Sequence, residues 1–210
     1  MEFISNFFSY VVDNWAHLAS LTLDHILMVV IGLILALIVG IPLGILCAKN
    51  EKLAKVILAT VSIIQVFPSI ALLGILMVFF GLGFKTVIVG LFLYSLLPIV
   101  RNTYVGLREV DENISEAGKG VGMTITQLLL KVQLPLSLPF LLAGIRVAAV
   151  IAVGVATLAP FIGGDGLGRD ILAGINTRQP VKIFSGAIIA AILAIIADVT
   201  LGRTQERLEH

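Results

Sequence analysis

Apolar residues in this chain fall in long runs, with most charged residues confined to the intervals between them. A spanning helix needs about 20 mostly apolar residues, because the hydrocarbon core is roughly 30 Å thick and each residue rises about 1.5 Å. Ile26 to Ala48 carries no charge and lies between Asp24/His25 and Lys49. Val56 to Phe84 is also uncharged, and Pro68 interrupts it. This pattern predicts one tilted or kinked span rather than two short helices meeting at the proline. Further runs follow at Thr86–Val100, at Leu136–Gly163 (broken only by Arg146) and at Ile183–Ala197. The elements expected are therefore five spans, at about 25–48, 56–83, 86–105, 136–161 and 182–202, in an all-α polytopic membrane bundle.

Residues 1–17 have a different rhythm. Phe3, Ile4, Phe7, Phe8, Val11, Val12 and Trp15 recur at helical spacing, with Ser5, Asn6, Ser9 and Asp13 opposite. That predicts a short helix lying in the membrane interface, with an extension of the first span as the other reading. The segment lacks the basic start of a signal peptide. At the other end, Leu208-Glu209-His210 resembles the start of an affinity tag, and residues 208–210 are set aside.

Composition agrees with the pattern. Of 210 residues, 59% are hydrophobic and 13% charged, with a mean hydropathy of +1.09. An ordinary soluble domain carries about 25% charged residues. A soluble enzyme and a disordered chain are excluded, and a net charge of +1 argues against nucleic acid as a partner. Charge placement then sets orientation. Nine basic residues (Lys49, Lys52, Lys55, Arg101, Arg108, Lys119, Lys131, Arg203, Arg207) fall in the first and third loops and the C-terminus, against four (Lys85, Arg169, Arg178, Lys182) on the other side. The positive-inside rule predicts a cytoplasmic C-terminus and, with five spans, an N-terminus outside.

One segment breaks the apolar rule. Seven of the 27 charges lie between Leu107 and Pro135. Val110, Ile114, Ala117 and Val121 form an apolar stripe on a short helix whose first turn holds Glu109, Asp111 and Glu112. Thr124 and Gln127 make a capping-box pattern for a second helix, Ile125 to Leu134, that Pro135 is expected to stop. Two such helices cannot fold alone, so the exposed stripe needs a partner.

Glu116-Ala117-Gly118, Gly122, Val132 and Leu134-Pro135 resemble the EAA loop of ABC importer permeases. That pattern reads Glu-Ala-Ala, three residues, Gly, nine residues, Ile, one residue, Leu-Pro. Gly118 and Val132 are the two departures. Over 18–203 the chain also resembles permeases of osmoprotectant importers, through Gln65-Val66-Phe67-Pro68-Ser69, Tyr94-Ser95-Leu96-Leu97-Pro98, Arg101-Asn102-Thr103 and Phe161-Ile162-Gly163-Gly164. The resemblance implies a type I importer fold, with the coupling loop at 108–135. It implies a second permease copy, a cytoplasmic ATPase dimer that carries the ATP and Mg²⁺, an external substrate-binding protein, and residence in the bacterial cytoplasmic membrane. Glycine betaine, carnitine or choline is the implied cargo. The alternative is another small zwitterion, such as ergothioneine or an amino acid, with a fused binding domain removed at the tag junction. In this family the EAA helix docks on the ATPase, so Glu116 is expected to make a polar contact and Ala117, Gly118 and Gly122 to permit close approach. No cofactor is expected in the chain itself.

Polar groups inside spans are functional candidates. Gln65, Pro68, Ser69, Tyr94 and Ser95 either line the passage or form a packing kink, and the sequence leaves both readings open. Arg146 is expected to snorkel or to pair with a carboxylate near the cytoplasmic face. Gly32, Gly40 and Gly44 are expected to pack helices. Neither a His-Glu-x-x-His, a Gly-x-Ser-x-Gly nor a Walker A motif occurs, which leaves an intramembrane enzyme or ATPase without machinery and a non-transporting scaffold as the remaining contrast.

Overall fold

A computed structural model describes residues 2–208. The start of the interfacial helix at Met1 and the tag-like residues Glu209 and His210 lie outside the described residues. Helices account for the fold, and no strand occurs among the described residues.

Helix α1 (Glu2–Asp13) stops before Asn14, four residues earlier than expected. The Asn14 amide donates to the carbonyl of Tyr10, which ends α1 and turns the chain into α2 (Trp15–Lys49). At 35 residues, α2 is roughly 50 Å long and begins ten residues before the expected span. Asn50 punctuates the next junction. Its carboxamide oxygen accepts from the amides of Lys52 and Leu53, capping α3 (Glu51–Val66), and Glu51 in the first turn suits the helix dipole.

The second apolar block differs from the single kinked span expected. α3 and α4 (Ser69–Phe80) meet at 101°, as two helices. Phe67 adopts the extended backbone (ψ 135°) that a following proline favours, and α3 ends there rather than bending. Gly81 and Gly83, both at positive φ, then turn the chain into α5 (Phe84–Arg108).

α5 is the most buried of the long helices and packs chiefly against α2 and α8 (Leu134–Ala156). Met28, Leu73, Val87, Leu91, Ala152 and Ile162 form the main core around it. Gly32, Gly40 and Gly44 line the α2–α5 seam. A Cβ on Gly44 would lie 2.4 Å from Cβ of Thr103, so the two backbones approach closely, as the sequence predicts.

Beyond α5 comes a two-helix knob, α6 (Glu112–Gly120) and α7 (Ile125–Leu128). Pro135 does not stop the second helix. A π turn over Leu129–Gln133 joins α7 to α8, so that Ile125–Ala156 runs as one helix. The Leu134 amide donates to the carbonyl of Leu129, and the wider turn accommodates a proline ring that would clash with the Lys131 carbonyl in regular α-helix. α8 ends at Ala156, short of the expected 161, and a 3-10 turn (Ala159–Ile162) follows. α9 (Gly168–Thr177) and α10 (Pro180–Glu206) complete the chain. Among the described residues, four helices are long and apolar enough to cross a bilayer, and the bent pair α3–α4 supplies the fifth apolar block.

Candidate functional site: the knob, the helix break and the inner cavity

Asp111 starts α6, its carboxylate accepting from the Asn113 amide at 2.8 Å. The helix closes in a Schellman arrangement: Gly122 at φ +83° donates to the Lys119 carbonyl, and the Met123 amide reaches back to Gly118. Gly122 is therefore required by the turn itself. Thr124 then caps α7 with the reciprocal box expected from sequence, its hydroxyl accepting from the Gln127 amide while Gln127 Oε1 accepts from the Thr124 amide.

These two helices pack through Ser115 and Gly118. A Cβ on Gly118 would sit 2.7 Å from Leu128, so its close approach is internal to the knob rather than reserved for a partner. Gln133 in the π turn donates to the Ser115 hydroxyl and ties α6 to the base of α8. The motif residues consequently divide into two groups. Glu116 and Ala117 are exposed on the outer face, beside Ile114 (44% exposed), Val121 (77%) and Ile125 (76%). Gly118, Gly122, Val132, Leu134 and Pro135 belong to the scaffold that holds that face. Val110 precedes α6, so it is not part of the helix whose stripe it was expected to begin.

At the helix break, Pro98 and the end of α3 each leave a carbonyl without a helical partner, and two side chains reach across to take them. Pro98 inside α5 cannot donate to the Tyr94 carbonyl, and the Gln65 amide donates there at 2.8 Å. Pro68 ends α3, and the Tyr94 hydroxyl donates to the exposed Phe67 carbonyl at 2.5 Å. Gln65 and Tyr94 thus latch the 101° bend onto α5. Ser69 takes no part in this latch. Ser95 is buried, and its hydroxyl has no partner among the described residues. Beside the latch lies a cavity of about 200 Å³, lined by Gln65, Leu97, Pro98, Arg101, Asn102, Val147 and Ile151.

Arg146 pairs with Asp198 of α10 in a bidentate contact, Nε to Oδ1 at 2.5 Å and a terminal nitrogen to Oδ2 at 2.7 Å. Pairing, not snorkelling alone, is the arrangement found. A second cluster, without a signature in the sequence, lies at the opposite end from the knob. Asp170 (4% exposed) accepts from the Tyr10 hydroxyl at 2.9 Å, from His17 Nε2 at 3.2 Å and from the Ser185 hydroxyl at 3.4 Å. It joins α1, α2, α9 and α10. Burial, and next the bond to Asp170, push the Tyr10 phenol up to about 12. Asp170 sits in a Gly-rich segment, and two of its three partners, Tyr10 and His17, are more than 150 residues distant in sequence, so no local pattern exposes it.

Comparison with known proteins gives a consistent result. The chain is 43% identical over 209 residues to the carnitine transport permease protein OpuCD of Listeria monocytogenes, covering 99% of this chain and 94% of that protein. It is 44% identical over 203 residues to the glycine betaine/carnitine/choline transport system permease protein OpuCD of Bacillus subtilis, covering 96% and 89%. The choline transport system permease protein OpuBB of the same organism is 43% identical over 199 residues, covering 95% and 92%. Among solved structures, a chain of an inward-facing MetNI methionine ABC transporter superposes with a TM-score of 0.81 at 22% identity, covering 91% of this chain and 95% of that one. At that identity the likeness concerns the fold. Residues 40–210 match the family of binding-protein-dependent transport system inner membrane components. With the match covering most of the chain, and relatives above 40% identity along nearly all of it, this membrane-spanning chain belongs to that family of ABC importer permeases.

Proposed function

We propose that the chain is the permease of an importer for small quaternary-ammonium osmoprotectants (glycine betaine, carnitine or choline). The observation that carries this reading is sequence identity above 40%, end to end, with relatives named for those solutes. In this reading a cytoplasmic ATPase dimer docks on the outer face of the knob, with Glu116 making the polar contact and Ala117 allowing close approach. ATP and Mg²⁺ bind to that partner. Two copies of the chain form the passage, and an external substrate-binding protein delivers the solute. The knob and C-terminus face the cytoplasm and the N-terminus faces outward, as the distribution of basic residues favours.

The capped, internally tied knob supports this role, because a lever must transmit motion without deforming. Uptake of radiolabelled glycine betaine, carnitine and choline tests it. A strain lacking other osmoprotectant transporters, and expressing this permease with its ATPase and receptor, is expected to accumulate at least one of the three against a gradient. Accumulation of none would remove the substrate assignment.

A further inference from the structure

The cavity beside the helix break has an uneven wall. Leu97, Pro98, Val147 and Ile151 are apolar, while Gln65, Arg101 and Asn102 are polar. The donors of Gln65 and Asn102 are engaged, on the Tyr94 and Pro98 carbonyls respectively. Arg101 is different. It makes no ion pair or hydrogen bond with any described residue, whereas Arg108, Arg146 and Arg169 are each paired with a carboxylate.

Arg108, seven residues further along α5, pairs with Glu51 at 3.2 Å where α3 begins, which marks the knob-side surface of the bundle. Arg101 lies about two helical turns, roughly 10 Å along α5, from that pair, and its side chain is exposed. Exposed and unpaired at the cavity wall, the side chain is available to a solute that enters. Its guanidinium is a planar fork that suits a carboxylate, and it stays charged throughout the accessible pH range. A cavity of about 200 Å³ is also smaller than a drug-sized pocket and suits a small solute.

Resting on the transport reading above, we infer that this cavity is a transient solute site in which Arg101 receives the carboxylate of a zwitterionic cargo. The apolar wall accommodates the methylated ammonium end. No aromatic side chain lines the cavity, so the cation is held weakly and the solute is free to leave. The contact favours betaine and carnitine, which carry a carboxylate, over solutes bearing only the positive charge.

The test uses the complete importer reconstituted in proteoliposomes, as wild type, Arg101→Lys and Arg101→Gln. The Gln variant is expected to lower glycine betaine and carnitine uptake at least tenfold, with a raised KM. The Lys variant is expected to retain at least half of wild-type uptake, and the ATPase should co-purify with all three. Uptake by the Gln variant within twofold of wild type would overturn the inference, and so would an equal loss in the Lys variant. A wild-type importer that moves neither solute would overturn the osmoprotectant reading, and this site with it. A wild type that moves both while the Gln variant keeps pace overturns the site alone.

Discussion

The Tyr94 latch yields a prediction whose size follows from its geometry. Replacing Tyr94 with Phe removes one hydroxyl and leaves the Phe67 carbonyl, at the end of α3, without its donor. A net hydrogen bond is worth about 0.5–1.5 kcal/mol, and an unsatisfied partly buried carbonyl raises the loss towards 3 kcal/mol. Within membrane bundles the measured values are smaller, about 0.6–1.7 kcal/mol. An expected cost of about 1–2 kcal/mol follows. For a chain of this size that lowers the melting temperature by roughly 2–8 °C. The protein carries a convenient reporter, since its one cysteine, Cys47, is fully buried. A thiol-reactive fluorophore in detergent will therefore signal unfolding. Tyr104→Phe is the control, because the Tyr104 hydroxyl makes no hydrogen bond to any described residue. Equal melting temperatures for wild type, Tyr94→Phe and Tyr104→Phe would refute the latch.

Other substitutions probe separate parts of the fold. Gly44→Ala places a methyl 2.4 Å from Thr103 and must part α2 from α5, at a cost of about 1–3 kcal/mol, whereas Gly74→Ala meets nothing within 4 Å and should leave melting unchanged or slightly raised. Arg146→Asp and Asp198→Arg should each lower the melting temperature and the yield of folded protein, and the double exchange should recover much of both; a double variant worse than either single would argue against the pair. The Tyr10 phenol, ordinarily near 10, is raised to about 12, so its neutral form stabilises the fold. That contribution is complete below pH 10 and is lost as pH climbs from 10 to about 12. Wild type should accordingly lose more stability over that interval than Tyr10→Phe, as read from melting curves at each pH.

Local chemistry in the sequence specifies local structure well. The Thr124–Gln127 box, the Gly81–Gly83 turn and the small residues of the α2–α5 seam all act through neighbours within a few positions or through steric size alone. The failures have a common cause. Whether Pro68 bends a helix or ends it depends on what receives the Phe67 carbonyl, and that receiver, Tyr94, is 27 residues away. Pro135 was expected to end a helix because it breaks the ordinary ladder, but a π turn that re-registers the ladder has no compositional signal. Gly118 matched the motif in spacing, yet its small size serves Leu128 inside the knob. Asp170 acquires significance only when α1, α2 and α10 converge on it.

The central claim is that the outer face of α6, and Glu116 with Ala117 in particular, is where the ATPase engages. Both residues are exposed, and neither holds the knob together, so changing them should spare the fold. The decisive measurement is retention of the ATPase on purified permease carrying Glu116→Lys and Ala117→Lys together, with the Cys47 melting curve as the check on folding. The account predicts an unchanged melting temperature, at least tenfold less ATPase retained and loss of solute-stimulated hydrolysis. Full retention, with stimulated hydrolysis intact, would contradict it.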